Sequence, residues 1–516
     1  MSNESYSLSR RKFLRTGTCG AMGIGSLVNT LSQLQLINSA AASTVGGNDV
    51  VGSDYKALVC IFLRGGCDMN NVIIPVTGNP QAANYTQDRG VVGINNGVSN
   101  ASFNPSGAND TLSLNGTASP FGIHPSFVNL RNMFNADEAS FLTNVGTLAE
   151  KIVTPADYNS SSLPLQLFSH SDQVTEWMSS IADRPYTSGW GARVADLYHS
   201  TWNPQSASSM LISAAGNNQF TGGSPSQPSY TVTSAGAVSL AGFGTNYNSA
   251  LDSNNDYLNT KSGRRLRALE RIMAYSHSNL IDDSYATVVQ RARESEAVIT
   301  ESAEVATDLG LDLDTIFSNY GASGDIADEL KSIARLITGR KCLGNTRQIF
   351  FVDLGGFDNH QNLNGSLGGL LTEVDNAIGA FNQAMKDLAI LDSDFEYDKV
   401  TTFQASDFNR TWTPNGTNST TAGTDHAWGT HAFVFGGAVN GGQLYGDFPE
   451  LVIGGNNDVP SGSRGRWIPT TSVDQYCAVL ANWFGVPPGS TEMETILPNL
   501  SRFDDPFAAG SNIAFL

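Results

Sequence analysis

Lys56 to Leu63 reads KALVCIFL and runs straight into Arg64-Gly65-Gly66. A short unbroken apolar run that stops at glycines has no polar face to turn to water. That is the pattern of a parallel strand buried on both sides. The pattern returns along the chain. Ala139-Ser140-Phe141-Leu142 leads to Asn144-Val145-Gly146, and Gln348 to Leu354 (QIFFVDL) leads to Gly355-Gly356. Val400 to Gln404 leads to Ser406-Asp407, and Ala432 to Phe435 leads to Gly436-Gly437. Helical periodicities lie between these runs, at Pro125 to Phe134, Ser262 to Ala306, Ile326 to Thr338, Leu367 to Leu391 and Val473 to Phe484. Strands alternating with helices predict an α/β fold, a doubly wound, mostly parallel sheet flanked by helices. In such sheets ligands bind beyond the carboxyl ends of the strands, so the polar residues that follow the runs are the ones to examine.

Thr201 to Asn259 departs from the pattern. It is rich in Ser, Gly, Asn and Thr with few charges, and reads as an outward-facing insertion of strands or long loops. The chain opens with Ser9-Arg10-Arg11-Lys12-Phe13-Leu14, then a weakly apolar stretch from Thr16 to about Leu36, then Ser39-Ala40-Ala41-Ala42. This is the layout of a twin-arginine export signal with a small-residue cleavage site. Its apolar part is broken by Gly17, Gly20, Gly23 and Gly25 and is too polar for a spanning helix of ~20 apolar residues. The expected organisation is a signal at 1–42, one α/β domain at 55–490 with an insertion at about 201–259, and a C-terminal extension at 491–516. The expected location is periplasmic or secreted, with the twin-arginine translocase as a partner in export and no transmembrane segment in the exported chain.

The net charge of -19 argues against nucleic acid, because neutralising phosphates takes clusters of Lys and Arg. Beyond the signal the cysteines are Cys60, Cys67, Cys342 and Cys477, with no metal-ligand spacing. Cys60 lies in an apolar run and reads as a buried small hydrophobe, whereas Cys67 admits a disulfide in an oxidising compartment.

Four constellations carry chemistry. Arg64-Gly65-Gly66-Cys67-Asp68-Met69-Asn70-Asn71 offers a carboxylate after a tight turn, or simply a helix cap. In Gly355-Gly356-Phe357-Asp358-Asn359-His360, Asp and His two residues apart can reach one metal from an extended backbone, a donor pair suited to zinc, manganese or iron, or else form a polar loop that caps the following helix. Asp425, His426 and His431 fall in one glycine-flanked segment, preceded by Asp407 and Arg410. Arg410 can clamp an oxyanion bidentately or pair with a carboxylate. Finally, Ser169, Ser171 and Thr175 sit at a predicted helix start in SHSDQVTEW, where they serve either as a nucleophile or as caps.

With these residues in view, the segments RGGCDMNN, GFDNHQN, SDFNRT, GTDHAWGTHAFVFGGAVNGG and RWIPTTSVDQYCAVLANWFG, together with SHSDQVTEW and SGWGAR, resemble a bacterial exported family. It is known only as domain of unknown function fifteen-hundred-and-one and is grouped with the alkaline phosphatase and sulfatase superfamily. The resemblance covers nearly all of 55–490. It implies an alkaline-phosphatase-like core with one or two divalent ions, zinc or else manganese or calcium. The implied ligands are Asp68, Asp358, His360, Asp407, Asp425, His426 and His431. SDFNRT departs from the family's more usual SEFGR, and the superfamily's adjacent Asp-His maps either to Asp407-Phe408 or to Asp425-His426. Ser169 is the nominated nucleophile, with Arg64 or Arg410 holding the oxyanion. The implied activity is hydrolysis of a phosphate or sulfate ester, of a small molecule or a glycan. The alternatives are a non-catalytic exported binding or surface-assembly protein, and a superfamily member without metal.

Overall fold

The computed structural model describes residues 54–516 except 102–103, 105, 119, 186–187, 205, 207, 225, 228, 234–235, 238–242, 244–246, 253–255, 274–298, 300, 303, 461 and 463. The twin-arginine segment, Cys19 included, lies outside the described residues, as does most of the second half of the helix expected at Ser262 to Ala306. No helix among the described residues is long and apolar enough to cross a membrane.

In chain order the strands are β1 (Lys56–Leu63), β2 (Ile73–Pro75), β3 (Leu112–Ser113), β4 (Phe121–Ile123), β5 (Ala139–Gly146), β6 (Leu211–Ser213) and β7 (Tyr230–Thr233). There follow β8 (Gly236–Ala237), β9 (Arg347–Leu354), β10 (Val400–Ser406), β11 (Thr430–Phe435), β12 (Leu444–Tyr445) and β13 (Thr471–Ser472). β2, β4 and β3 form a small antiparallel sheet, and the others form one large sheet in the order β12-β5-β11-β10-β1-β9-β6-β7-β8, with β13 also on β5. β10, β1, β9, β6 and β7 run parallel, while β11 is antiparallel to both its neighbours and β8 to β7. The fold is thus mixed α/β with a mostly parallel central sheet flanked by helices.

β1 shows why. Ala57, Val59, Ile61 and Leu63 enter one core, with Leu130 and Phe134, Leu330 and Ile333, and Leu371 and Ile378 from three helices. Leu58, Cys60 and Phe62 enter the other, with Val174 and Trp177, Trp190 and Val194, and Tyr476 and Leu480. Side chains alternate across a strand, so an unbroken apolar run needs helices on both faces. Each Leu or Phe buried this way contributes about 1.5–3 kcal/mol.

Four readings of the sequence are corrected. Strands β6 and β7, from the segment expected to be an outward insertion, extend the main sheet beyond β9, and Leu211 and Ile212 are fully buried. The run Ala432 to Phe435 is a strand, but it runs backwards. Its glycines 436–437 therefore lie at the far edge, and its start at Thr430 lies at the edge where β1, β9 and β10 end. The 491–516 segment is part of the body, with Ile513 and Phe515 in the core. Cys60, Cys67, Cys342 and Cys477 are all free thiols, so the disulfide considered for Cys67 does not form.

The helix Val128–Asn135 begins at Phe127 without a side-chain cap of its own. Asp375, on the long helix Leu363–Leu391, caps it from outside: Oδ2 accepts the Asn129 amide hydrogen at 2.8 Å and Oδ1 that of Leu130 at 2.9 Å. Replacing Asp375 by Ala is expected to cost about 1–3 kcal/mol, read as a lower urea midpoint with an unchanged m-value.

Candidate metal centre

Three loops leave the same sheet edge and cross at close quarters. Gly65, with φ near +110°, follows β1, and a Cβ there would lie 2.5 Å from the Asp358 nitrogen. Gly423 passes so close to the loop after β9 that a Cβ would lie 2.3 Å from the Asn359 carbonyl oxygen. Only a residue without a side chain fits such crossings. They bring Asp358 and His360, which follow β9, against His426, which precedes β11. The helix His170–Ser179 adds His170 from its first position.

Three imidazoles then face one carboxylate oxygen. Asp358 Oδ1 lies 3.0 Å from His360 Nε2, 3.4 Å from His426 Nε2 and 3.5 Å from His170 Nε2. His360 Nε2 and His426 Nε2 are 2.9 Å apart. One donor atom each from His170, Asp358 and His426 falls within 4.8 Å of the others.

Each ring is oriented from behind. His170 Nδ1 is 2.7 Å from Asp407 Oδ2, His360 Nδ1 is 3.0 Å from Asp425 Oδ1, and His426 Nδ1 is 2.8 Å from the Phe168 carbonyl oxygen. These partners only accept, so each assigns a ring hydrogen to Nδ1 and points Nε2 toward Asp358. Two ring nitrogens 2.9 Å apart share either a proton, as an N–H···N hydrogen bond, or a metal ion. The three spacings to Asp358 Oδ1 and the one between His360 and His426, 2.9–3.5 Å in all, lie near the ~3.4 Å donor separation of bonds of about 2.1 Å at tetrahedral angles. His170 Nε2 is buried without a hydrogen-bond partner. His170, Asp358 and His426 form a group that could hold one ion, with His360 Nε2 beside them at 3.0 Å from Asp358 Oδ1, and a donor set of imidazoles with one carboxylate suits zinc and disfavours calcium, which takes oxygen ligands.

Arg410 closes the floor of the site. It is fully buried, and its Nη1 donates to Asp358 Oδ1 at 2.7 Å and to the Gly65 carbonyl at 3.2 Å. Burial pushes the Asp358 pKa up, but Arg410, His360 and His170 pull it down further, so the carboxylate lies below its usual range. The Asp407 hydrogen bond raises His170, whereas burial lowers His426. Asp407 is itself held by the Gly65 N–H at 3.1 Å. Asp425 is paired with Arg464 and accepts from Asn415 Nδ2 at 3.2 Å. The strap above the site is strained, with Gln166 at φ 47° and Phe168 at φ 74°, a left-handed region that non-glycine residues rarely occupy except at functional sites.

Of the expected ligands, Asp358, His360 and His426 converge. Asp407 and Asp425 stand behind rings, as orienting partners. Asp68 is buried against Arg89 at 2.6 Å, with Thr424 Oγ1 at 3.4 Å, and is a structural ion pair. His431 is fully inside the protein, stacked on Phe448 at 5.1 Å, with its Nδ1 accepting the Asn144 amide hydrogen. Arg64 pairs with Asp353, and Arg410 holds a carboxylate where an oxyanion was expected. Ser169 gives its hydroxyl to Asp172 at 2.5 Å. His170, one residue on, is the converging side chain that the sequence reading passed over.

Residues 55–459 match the model of a family described as "Protein of unknown function (DUF1501)". The chain belongs to this family. No curated protein and no solved structure matches it. The family match takes in all four converging residues of this DUF1501 chain and ends before β13 and the helix Val473–Phe484, which pack against β5 and β1.

Burial holds His431 neutral, with its pKa pushed down to about 3. A histidine whose folded pKa lies below its unfolded value of ~6.5 supports the fold fully above that value and withdraws support as the pH falls. His431→Phe keeps the stack but cannot take a proton. Between pH 7 and pH 5 it is expected to lose roughly 2 kcal/mol less stability than wild type, measured by urea midpoints. Burial pushes Glu176 up to about 9 and Asp474 up to about 7. Both acids slope the other way, equally in the two proteins, so the difference between variant and wild type is the readout.

Proposed function

We propose that this chain is an exported metalloprotein of alkaline-phosphatase-like fold that holds one zinc-type ion between His170, Asp358, His360 and His426 and hydrolyses phosphate or sulfate esters there. The observation that carries this reading is the convergence of three Nε2 atoms on Asp358 Oδ1, each ring oriented from behind. The support for export is the twin-arginine pattern at Ser9 to Leu14. When bound, such an ion supplies Lewis acidity toward an ester oxygen.

The chain's own residues do the rest. Asp407, Asp425 and the Phe168 carbonyl hold the Nδ1 of each ring and so fix the direction in which its Nε2 points. Arg410 offsets the charge of Asp358. Arg464 and Arg466 stand next to Asp425 and His426, Arg466 lying over the Phe168 ring at 4.5 Å, and draw an anionic ester to an otherwise acidic protein. Water is the nucleophile in this scheme, because Ser169 is engaged with Asp172.

A second reading, a metal-binding protein without catalysis, is favoured by one observation. Among the described residues, no Ser, Thr or Cys side chain hydrogen-bonds to Asp358 or to the three rings.

Elemental analysis of protein folded in zinc-replete medium, joined to assays with nitrophenyl phosphate and nitrophenyl sulfate, tests both readings. About one zinc per chain is expected, lost in His170→Ala and in His426→Ala and kept in His431→Phe, with ester hydrolysis tracking the metal. Metal without hydrolysis shifts the conclusion to the binding protein, and wild type without metal overturns both. Asp407→Asn, which loosens the His170 ring, is expected to weaken zinc affinity by about 10–100-fold in a chelator competition.

A further inference from the structure

A cavity of about 340 Å³ opens beside the first turns of the helix Leu363–Leu391, lined by none of the four converging residues. Its volume lies at the small end of the ~300–1,000 Å³ usual for small-molecule sites. We propose that it binds a neutral, polyhydroxylated ligand, a sugar residue.

The polar groups are few: His124 and Asn71 are buried, and Asp110 and Asn364 stand exposed at the rim. His124 is almost wholly buried, and its Nδ1 accepts the Ser126 amide hydrogen at 3.1 Å, so the ring offers an Nε2–H donor. Burial pushes its pKa down to about 4, so the ring brings no charge. Asp110 receives the Asn95 amide at 2.6 Å on one carboxylate oxygen, and Oδ1 is the acceptor it can turn to a ligand. Asn364 spends its amide hydrogens on the Val91 and Ser419 carbonyls, which makes its own oxygen another acceptor. Asn71 forms a rigid wall, its Oδ1 accepting from Tyr85 and Arg89 and its Nδ2 donating to Val92.

The remaining lining decides the ligand class. Leu363, Leu367 and Pro125 supply an apolar side for C–H groups. No Lys or Arg lines the cavity, and Asp110 brings negative charge, which excludes the phosphate or sulfate that the metal centre would take. No Phe, Tyr or Trp lines it either, so a nucleobase would find no ring to stack on, and the C–H face of a sugar would rest on Leu363, Leu367 and Pro125 instead of an aromatic ring. A ring with hydroxyls at its rim and C–H on its face meets donors, acceptors and apolar wall together. At Gly368 a Cβ would sit 3.5 Å from Ser126 Oγ and 3.8 Å from His124 Cε1. Those are ordinary contacts, so a larger side chain there fills the cavity without breaking the wall.

Saturation-transfer NMR and calorimetry on the folded chain, with glucose, galactose, mannose and N-acetylglucosamine as probes, test the proposal. Saturable binding of at least one sugar is expected, weakened about tenfold or more in Asp110→Asn and in Gly368→Val, and unchanged in His170→Ala. That last variant separates this cavity from the metal reading, since either can fail alone. Absence of binding to all four sugars, equal binding by Gly368→Val, or displacement of the sugar by inorganic phosphate would each overturn it.

Discussion

The pairing of β1 with β9 on one side and β10 on the other sets the level of everything else. Leu63 stands opposite Leu354 and Ser406 at once, so three strands end together and their loops begin at one height. A parallel strand with both faces covered has no freedom to slip, since a shift of one residue would exchange its two cores. That fixed register presents Gly65, Asp358 and Asp407 to each other. The antiparallel β11 then delivers His426 to the same edge by its beginning rather than its end.

Much of this was legible in the sequence, for a physical reason. Apolar runs such as KALVCIFL and QIFFVDL carry their burial in their composition. Asp358 and His360 share a local spacing that an extended backbone converts directly into proximity. His170 has no such neighbour. It occupies the first position of a helix, and only packing of that helix against the sheet brings the ring to Asp358, so its segment read as a nucleophile or a cap. His431 misled in the opposite way. Two histidines five apart look like a pair, yet β11 begins between them and takes His431 into the apolar interior. Asp68 was unreadable too, because its partner Arg89 comes from a helix 21 residues on. The direction of β11 was also hidden, because a strand's composition does not record which way it runs.

The edge where the imidazoles meet gathers charges of both signs. The chain carries a net -19, yet Arg64, Arg410, Arg464 and Arg466 gather at the one edge where the imidazoles meet. All four are held by carboxylates or carbonyls, so they are fixed in direction rather than free to sweep solvent. A fixed cation of this kind sorts ligands by position as well as by sign.

The bare backbone crossings at 65 and 423 bear on descent. Side chains that bind an ion can be exchanged one at a time as a lineage changes its chemistry. A main chain pressed against another main chain cannot be altered piecemeal, because any added carbon pushes two loops apart. The two glycines therefore belong to the frame of the site and the histidines to its chemistry.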